Sequence, residues 1–128
     1  MPATGQKTAL QSTAASSIKI LYGESDEQTL SGQSAEMTKA GHQVTTALDR
    51  KGVTEALRRD TFELVILGAT LSKDDRHHLP YMVKKAHAGT KVLVMHAGTH
   101  HHEVDAAIEP SLSMQRILEK IAALHQPK

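Results

Sequence analysis

The chain has 128 residues, enough for one domain to bury a core without disulfides or metal, and its formal net charge of +1 supplies no field to hold nucleic acid or an anionic membrane. It has no cysteine, which excludes thiol catalysis, Cys-based zinc sites and disulfides and suits a reducing, cytoplasmic setting. Aromatic residues at 2% imply an aliphatic core and leave no stacking platform for single strands.

In chain order, "MPATGQKTALQSTAASS" lacks an apolar segment and is rich in Ala, Ser and Thr, so residues 1–17 are expected to be a disordered lead-in to a single domain over 18–125. Nowhere do eighteen apolar residues run together, so no membrane span is expected. "SIKILYG" reads as a first strand. "ESDEQTLSGQSAEMTKAG" follows as a helix with acidic residues at its start and Gly41 as its stop, and Ser25 with Gln28 three residues on predicts Ser25 as the N-cap. "HQVTTAL" is a second strand, and "DRKGVTEALRR" a helix that Asp49 caps, with Val53, Ala56 and Leu57 inward. "FELVIL" is a third strand, apolar apart from Glu63, followed by the polar loop "GATLSKDDRHHLP" and a helix in "YMVKKAHAG" suggested by Met82, Val83 and Ala86. "KVLVMHAG" is the fourth strand. "THHHEVDAAIEP" is thin in apolar residues, and "SLSMQRILEKIAALHQ" closes the chain as an amphipathic helix with Leu112, Ile117, Leu118, Ile121 and Leu124 on one side. Strands alternating with helices predict a doubly wound α/β domain, with a parallel sheet covered on both faces.

Taken in that order, "IKILYGESD", "GHQVTTAL", "TEALRRDTFELVIL", "KVLVMHAG" and "EP" before "ILEKIAAL" resemble the receiver domain of two-component response regulators over Ile18 to about Leu124. The resemblance implies a five-stranded, flavodoxin-like receiver fold. It also places the family's phosphorylation-site positions on this chain. The acidic pair that binds Mg²⁺ falls on Glu24 and Ser25, the phosphoacceptor Asp on Gly68, the hydroxyl after strand four on His96, and the Lys before a Pro on Glu109. Gly68 carries no nucleophile, one carboxylate of the pair is a hydroxyl, and the cation is an acid. The expectation is therefore a degenerate pseudo-receiver, not an enzyme, in bacterial phosphorelay signalling. Mg²⁺ binding would be lost or weak, and no other cofactor is implied. Glu109 follows His96 by only thirteen positions, so the fourth helix region is expected to be shortened to a turn or loop. Phosphorylation-independent contact with protein partners follows, a histidine kinase, an output protein or a second copy of the chain being the candidates, with no nucleic acid and no membrane.

Three other constellations compete. "HAGTHHHE" offers His96, His100 and His102 as candidate Zn²⁺ or Ni²⁺ ligands, with His77 and His78 expected in the loop after strand three near the same sheet edge. Against this, consecutive histidines on a loop point in different directions and match no zinc-ligand spacing. Ser25, His96 and Glu109 contain the residue types of a catalytic triad, but no Gly-x-Ser-x-Gly elbow is present. A small-ligand module is the third, since Gly68 would allow close approach at a strand end, yet neither Gly-x-Gly-x-x-Gly nor a Walker pattern occurs.

Overall fold

The computed structural model describes residues 17–96, 103–109 and 113–125. In chain order the elements are β1 (Lys19–Glu24), α1 (Glu27–Lys39), β2 (Gln43–Leu48), α2 (Asp49–Arg59), β3 (Leu64–Leu67), α3 (Lys73–Ala86), β4 (Lys91–Val94), β5 (Ala106–Ala107) and α4 (Met114–Leu124). All strand pairs are parallel and the sheet order is β2-β1-β3-β4-β5. The order reverses at β1 and β3, so their carboxyl ends open on the crevice where doubly wound sheets place their sites.

Alternation along the strands sorts the core into two halves. Leu21, Val65, Leu67, Val92 and Val94 face α2 and α3, where Val53, Ala56, Leu57, Leu79 and Val83 meet them. Ile20, Tyr22, Leu64, Ile66 and Leu93 face α1 and α4, meeting Leu30, Met37, Ile117 and Ile121. Central β3 is buried at every position, which is why it reads as an unbroken apolar run. No helix among the described residues is long and apolar enough to cross a membrane.

Several local expectations are corrected. The N-cap of α1 is Asp26, not Ser25: its carboxylate accepts from Thr29 N at 2.9 Å and Thr29 Oγ1 at 2.7 Å, while the Ser25 amide is committed elsewhere. Gly41, at φ 106°, stops the helix as expected, with His42 N donating to Met37 O and Gly41 N to Thr38 O in a Schellman arrangement. Asp49 does not cap α2. It is the first helical residue, held at φ 62°, and the cap position is Leu48, which offers no side-chain bond. The segment read as a polar loop before Tyr81 is helical from Lys73, because Ser72 Oγ accepts from Asp75 N at 3.1 Å and starts α3 early. His77 and His78 therefore lie in its second turn. Leu79, Pro80 and Val83 are its buried residues, whereas Met82 is half-buried and Ala86 exposed.

Between β4 and β5 no described residue is helical; residues 97–102, which hold most of that connection, are outside the described set, as are Leu112 and all of the expected tail except Ser17. Strand β5 is only two residues long but firmly tied. Asp105 Oδ2 accepts from Val92 N at 2.7 Å and from Lys84 Nζ at 2.8 Å, and Lys84 Nζ also donates to Thr90 O at 2.6 Å.

Candidate functional site

The site grows from the ends of β1 and β3. Tyr22 and Glu24 are two residues apart on β1, so both project toward α1. Glu24 is 1% exposed, yet no cation pairs with it among the described residues. Hydrogen bonds satisfy it instead. Oε1 accepts from Thr70 N at 2.9 Å and Thr70 Oγ1 at 2.6 Å, and Oε2 accepts from the Tyr22 hydroxyl. Gln33 Oε1 of α1 lies 2.8 Å from the same hydroxyl; a phenol has one proton, so with the Tyr22 O–H directed at Glu24 the Gln33 amide would turn its N–H₂ to the phenol oxygen. Burial, followed by the bond to Glu24 and its charge, holds the Tyr22 proton well above the ordinary phenol range. The phenol is a fixed donor, not an acid.

Thr70 is the hub. While its hydroxyl donates to Glu24, its oxygen accepts from Ser25 N at 2.8 Å and Asp26 N at 3.0 Å. The loop after β3 is thereby stitched to the loop after β1. Arg76, one turn into α3, adds a strap by donating to Ala69 O at 3.2 Å.

Gly68 makes this arrangement possible. A Cβ at residue 68 would lie 1.9 Å from Glu24 Cδ and 2.0 and 2.1 Å from its two oxygens. The carboxylate thus occupies the space that any side chain at residue 68 would need. The Gly68 backbone completes the strand end, its N–H donating to Gly23 O at 2.8 Å.

Of the five positions singled out from sequence, Glu24, Ser25 and Gly68 come together around Thr70. His96, half-buried two residues past β4, and Glu109, exposed after β5, are joined to them by no hydrogen bond or ion pair among the described residues. Ser25, His96 and Glu109 therefore form no triad there. His100 and His102 lie outside the described residues, and among those described no group of three His, Asp or Glu is placed to hold a metal ion. Sequence reasoning did not single out Tyr22, Gln33 or the Thr70 hydroxyl. The alternation placing Tyr22 beside Glu24 was the available signal.

No protein-family model matches the chain, and no curated protein matches it. Solved structures do. A two-component response regulator from Clostridium difficile superposes with a TM-score of 0.72 at 15% identity, over 83% of this chain and 93% of that one. The Thermotoga maritima response regulator TrrA, solved in complex with Mg²⁺-BeF, gives 0.71 at 17% identity over 82% and 96%. The non-phosphorylated HemR receiver domain of Leptospira biflexa gives 0.66 at 20% identity over 85% and 97%. The chain therefore has the flavodoxin-like fold of CheY-type receiver domains.

Proposed function

We propose that this chain is an atypical receiver domain that takes no phosphoryl group at the end of β3 and signals by contact with protein partners, in the setting of a bacterial two-component pathway. The observation carrying this reading is the Glu24 carboxylate lying over Gly68, in the space of an acceptor side chain. An acyl phosphate needs a carboxylate nucleophile and a divalent ion to offset its charge. The residues here fit neither requirement. Gly68 has no nucleophile, both Glu24 oxygens are engaged by Thr70 and Tyr22, and the Asp26 carboxylate caps α1. A doubly negative phosphoryl group about 4 Å from the Glu24 carboxylate would meet a repulsion of about 8 kcal/mol at an effective dielectric near 20.

What remains is a scaffold whose two site loops are already joined through Thr70. In this reading Glu24, Ser25, Gly68, His96 and Glu109 are the vestigial positions of a phosphorylation site, and the partner is a histidine kinase or an output protein that meets one fixed state. Labelled acetyl phosphate with Mg²⁺ tests it: no protein-bound label is expected, and beryllofluoride should leave the amide resonances near residues 24, 68 and 96 in place. Mg²⁺-dependent label that base and hydroxylamine release, as they do from an acyl phosphate, overturns the reading.

A further inference from the structure

Helices α2 and α3 pack side by side on one sheet face and leave between them a groove of about 420 Å³, lined by Arg50, Thr54, Leu57, Arg58, Met82 and Ala86. Its floor is apolar, from Leu57, Met82 and Ala86; its rim is cationic. Arg50 and Arg58 stand eight residues apart on α2, about 12 Å along the axis. Arg58 is exposed with no carboxylate partner among the described residues, and Arg50 pairs with Asp75 only at the long distance of 3.9 Å, with half its side chain exposed. With exposed Lys51 and Arg59, α2 carries four cations against Asp49 and Glu55. The groove between β5 and α4 differs. It mixes Glu109 and Glu119 with Arg116 and Lys120, and Arg116 lies 3.8 Å from Glu119.

We propose that the α2–α3 groove docks an acidic, amphipathic helix of a partner protein. The partner's apolar stripe would sit on Leu57, Met82 and Ala86, and carboxylates two turns apart would meet Arg50 and Arg58, as in other helix-in-groove complexes. Charge complementarity and the apolar floor between the cations together favour this occupant over nucleic acid, whose phosphates could use the arginines but have nothing to set on Met82. The inference rests on the reading that the chain works through protein contacts, and it names the face that makes them.

The probe is a fluorescein-labelled alanine-based helix of about 18 residues, with leucines along one stripe and glutamates two turns apart beside it. Fluorescence anisotropy should show saturable binding, with amide shifts confined to α2 and α3. The double change Arg50→Gln, Arg58→Gln should weaken binding about tenfold, by loss of two charge-assisted contacts. Met82→Ser should weaken it about fivefold, and Lys120→Gln on α4 should leave it unchanged. Thermal melts confirm that each variant is folded. No binding at about 1 mM peptide, beyond any useful affinity, overturns the proposal. So does equal binding of the peptide with its leucines changed to serine, equal binding of a DNA duplex of similar charge, or shifts centred on α4. Such failures leave the phosphorylation reading standing, since that reading falls only if acetyl phosphate labels the protein.

Discussion

A methyl group at residue 68 would have to share space with the Glu24 carboxylate, at 1.9 Å from Cδ. That carboxylate ends a flexible side chain and can swing away, so the cost is set by the bonds it must leave: Thr70 N, Thr70 Oγ1 and the Tyr22 hydroxyl. Hydrogen bonds to a buried charge contribute about 1.5–3 kcal/mol each, part of which water would restore. Gly68→Ala is therefore expected to lower stability by about 2–3 kcal/mol in urea titration, and the same change in a Glu24→Ala background should cost much less, because the two residues compete for one space. Additive losses in that cycle would show that they do not. Gly68→Asp falls under the same constraint, and is expected to give no label from acetyl phosphate. The glycine was visible in the sequence; the glutamate filling its space was not, because nothing in a strand's periodicity says how far a side chain folds back over its neighbour. Ser25 and Asp26 show the same limit. Both suit an N-cap, and the choice is made by Thr70, 44 residues from Asp26.

His42 carries the residue-scale dependence on pH. It is 8% exposed, and its Nδ1 accepts the Ile18 N–H at 3.2 Å, which requires that nitrogen to be unprotonated. Burial, then the charge of nearby His125, hold its pKa below the ordinary 6.5. The unfolded chain takes up the proton first, so the contribution of neutral His42 is complete above about pH 6.5 and is lost as pH falls through the depressed folded value. Urea midpoints measured from pH 8 down to 5 should decline below 6.5, and His42→Gln, which keeps an acceptor but cannot titrate, should flatten that part of the profile. An unchanged profile in His42→Gln would assign the decline to another group.

Among the elements, β5 depends most on side chains. Two residues of pairing, Leu93 with Ala106 and Val94 with Ala107, would not hold an edge strand alone. Asp105 adds the anchor through Val92 N and Lys84 Nζ. Burial pushes its carboxyl up, but the Lys84 hydrogen bond and the Val92 N–H outweigh it and leave the pKa below the usual 3.8. The anchor's stability is thus present above that value and lost as pH falls beneath it. Asp105→Asn is expected to cost about 1 kcal/mol, the salt bridge being partly exposed. The loss should show as faster hydrogen exchange at Ala107 and Ile108 while β1 and β3 stay protected; uniform acceleration would mean that β5 does not open separately. Strands β1, β3 and β4 were legible as largely apolar runs, and β2 as a short β-type run between the Gly41 stop and α2. The start of α3 was not, because its first turns carry charges and histidines and Pro80 interrupts the apolar spacing. Ser72 with Asp75 three residues later was the cap signal available, and it decided the boundary.

At the scale of the whole molecule, the doubly wound architecture was legible because right-handed crossovers leave little choice once strands and helices alternate. The β2-β1-β3-β4-β5 order then brings the ends of β1 and β3 together, whatever residues stand there. That separation of scaffold from chemistry makes global stability a probe of the site. A divalent ion that binds only the folded state raises stability by RT ln(1 + [L]/Kd), about 1.4 kcal/mol for 10 mM Mg²⁺ and a site of about 1 mM. For a domain of this size that corresponds to a rise of about 4–6 °C in Tm. With both Glu24 oxygens engaged and Gly68 offering no side chain, Tm is expected to move by less than about 1 °C when 10 mM MgCl₂ replaces NaCl at matched ionic strength. The contrast sharpens in Thr70→Val, which removes the hydroxyl from Glu24 and from the Ser25 and Asp26 amides. That variant should melt earlier, by about 1–3 kcal/mol of lost stability for the buried groups left without partners, whereas Thr70→Ser should stay close to the parent. If Mg²⁺ stabilised the parent but not Thr70→Val, the ion would be binding through the very loop that Thr70 closes, and Glu24 would be a ligand rather than the filling of the site.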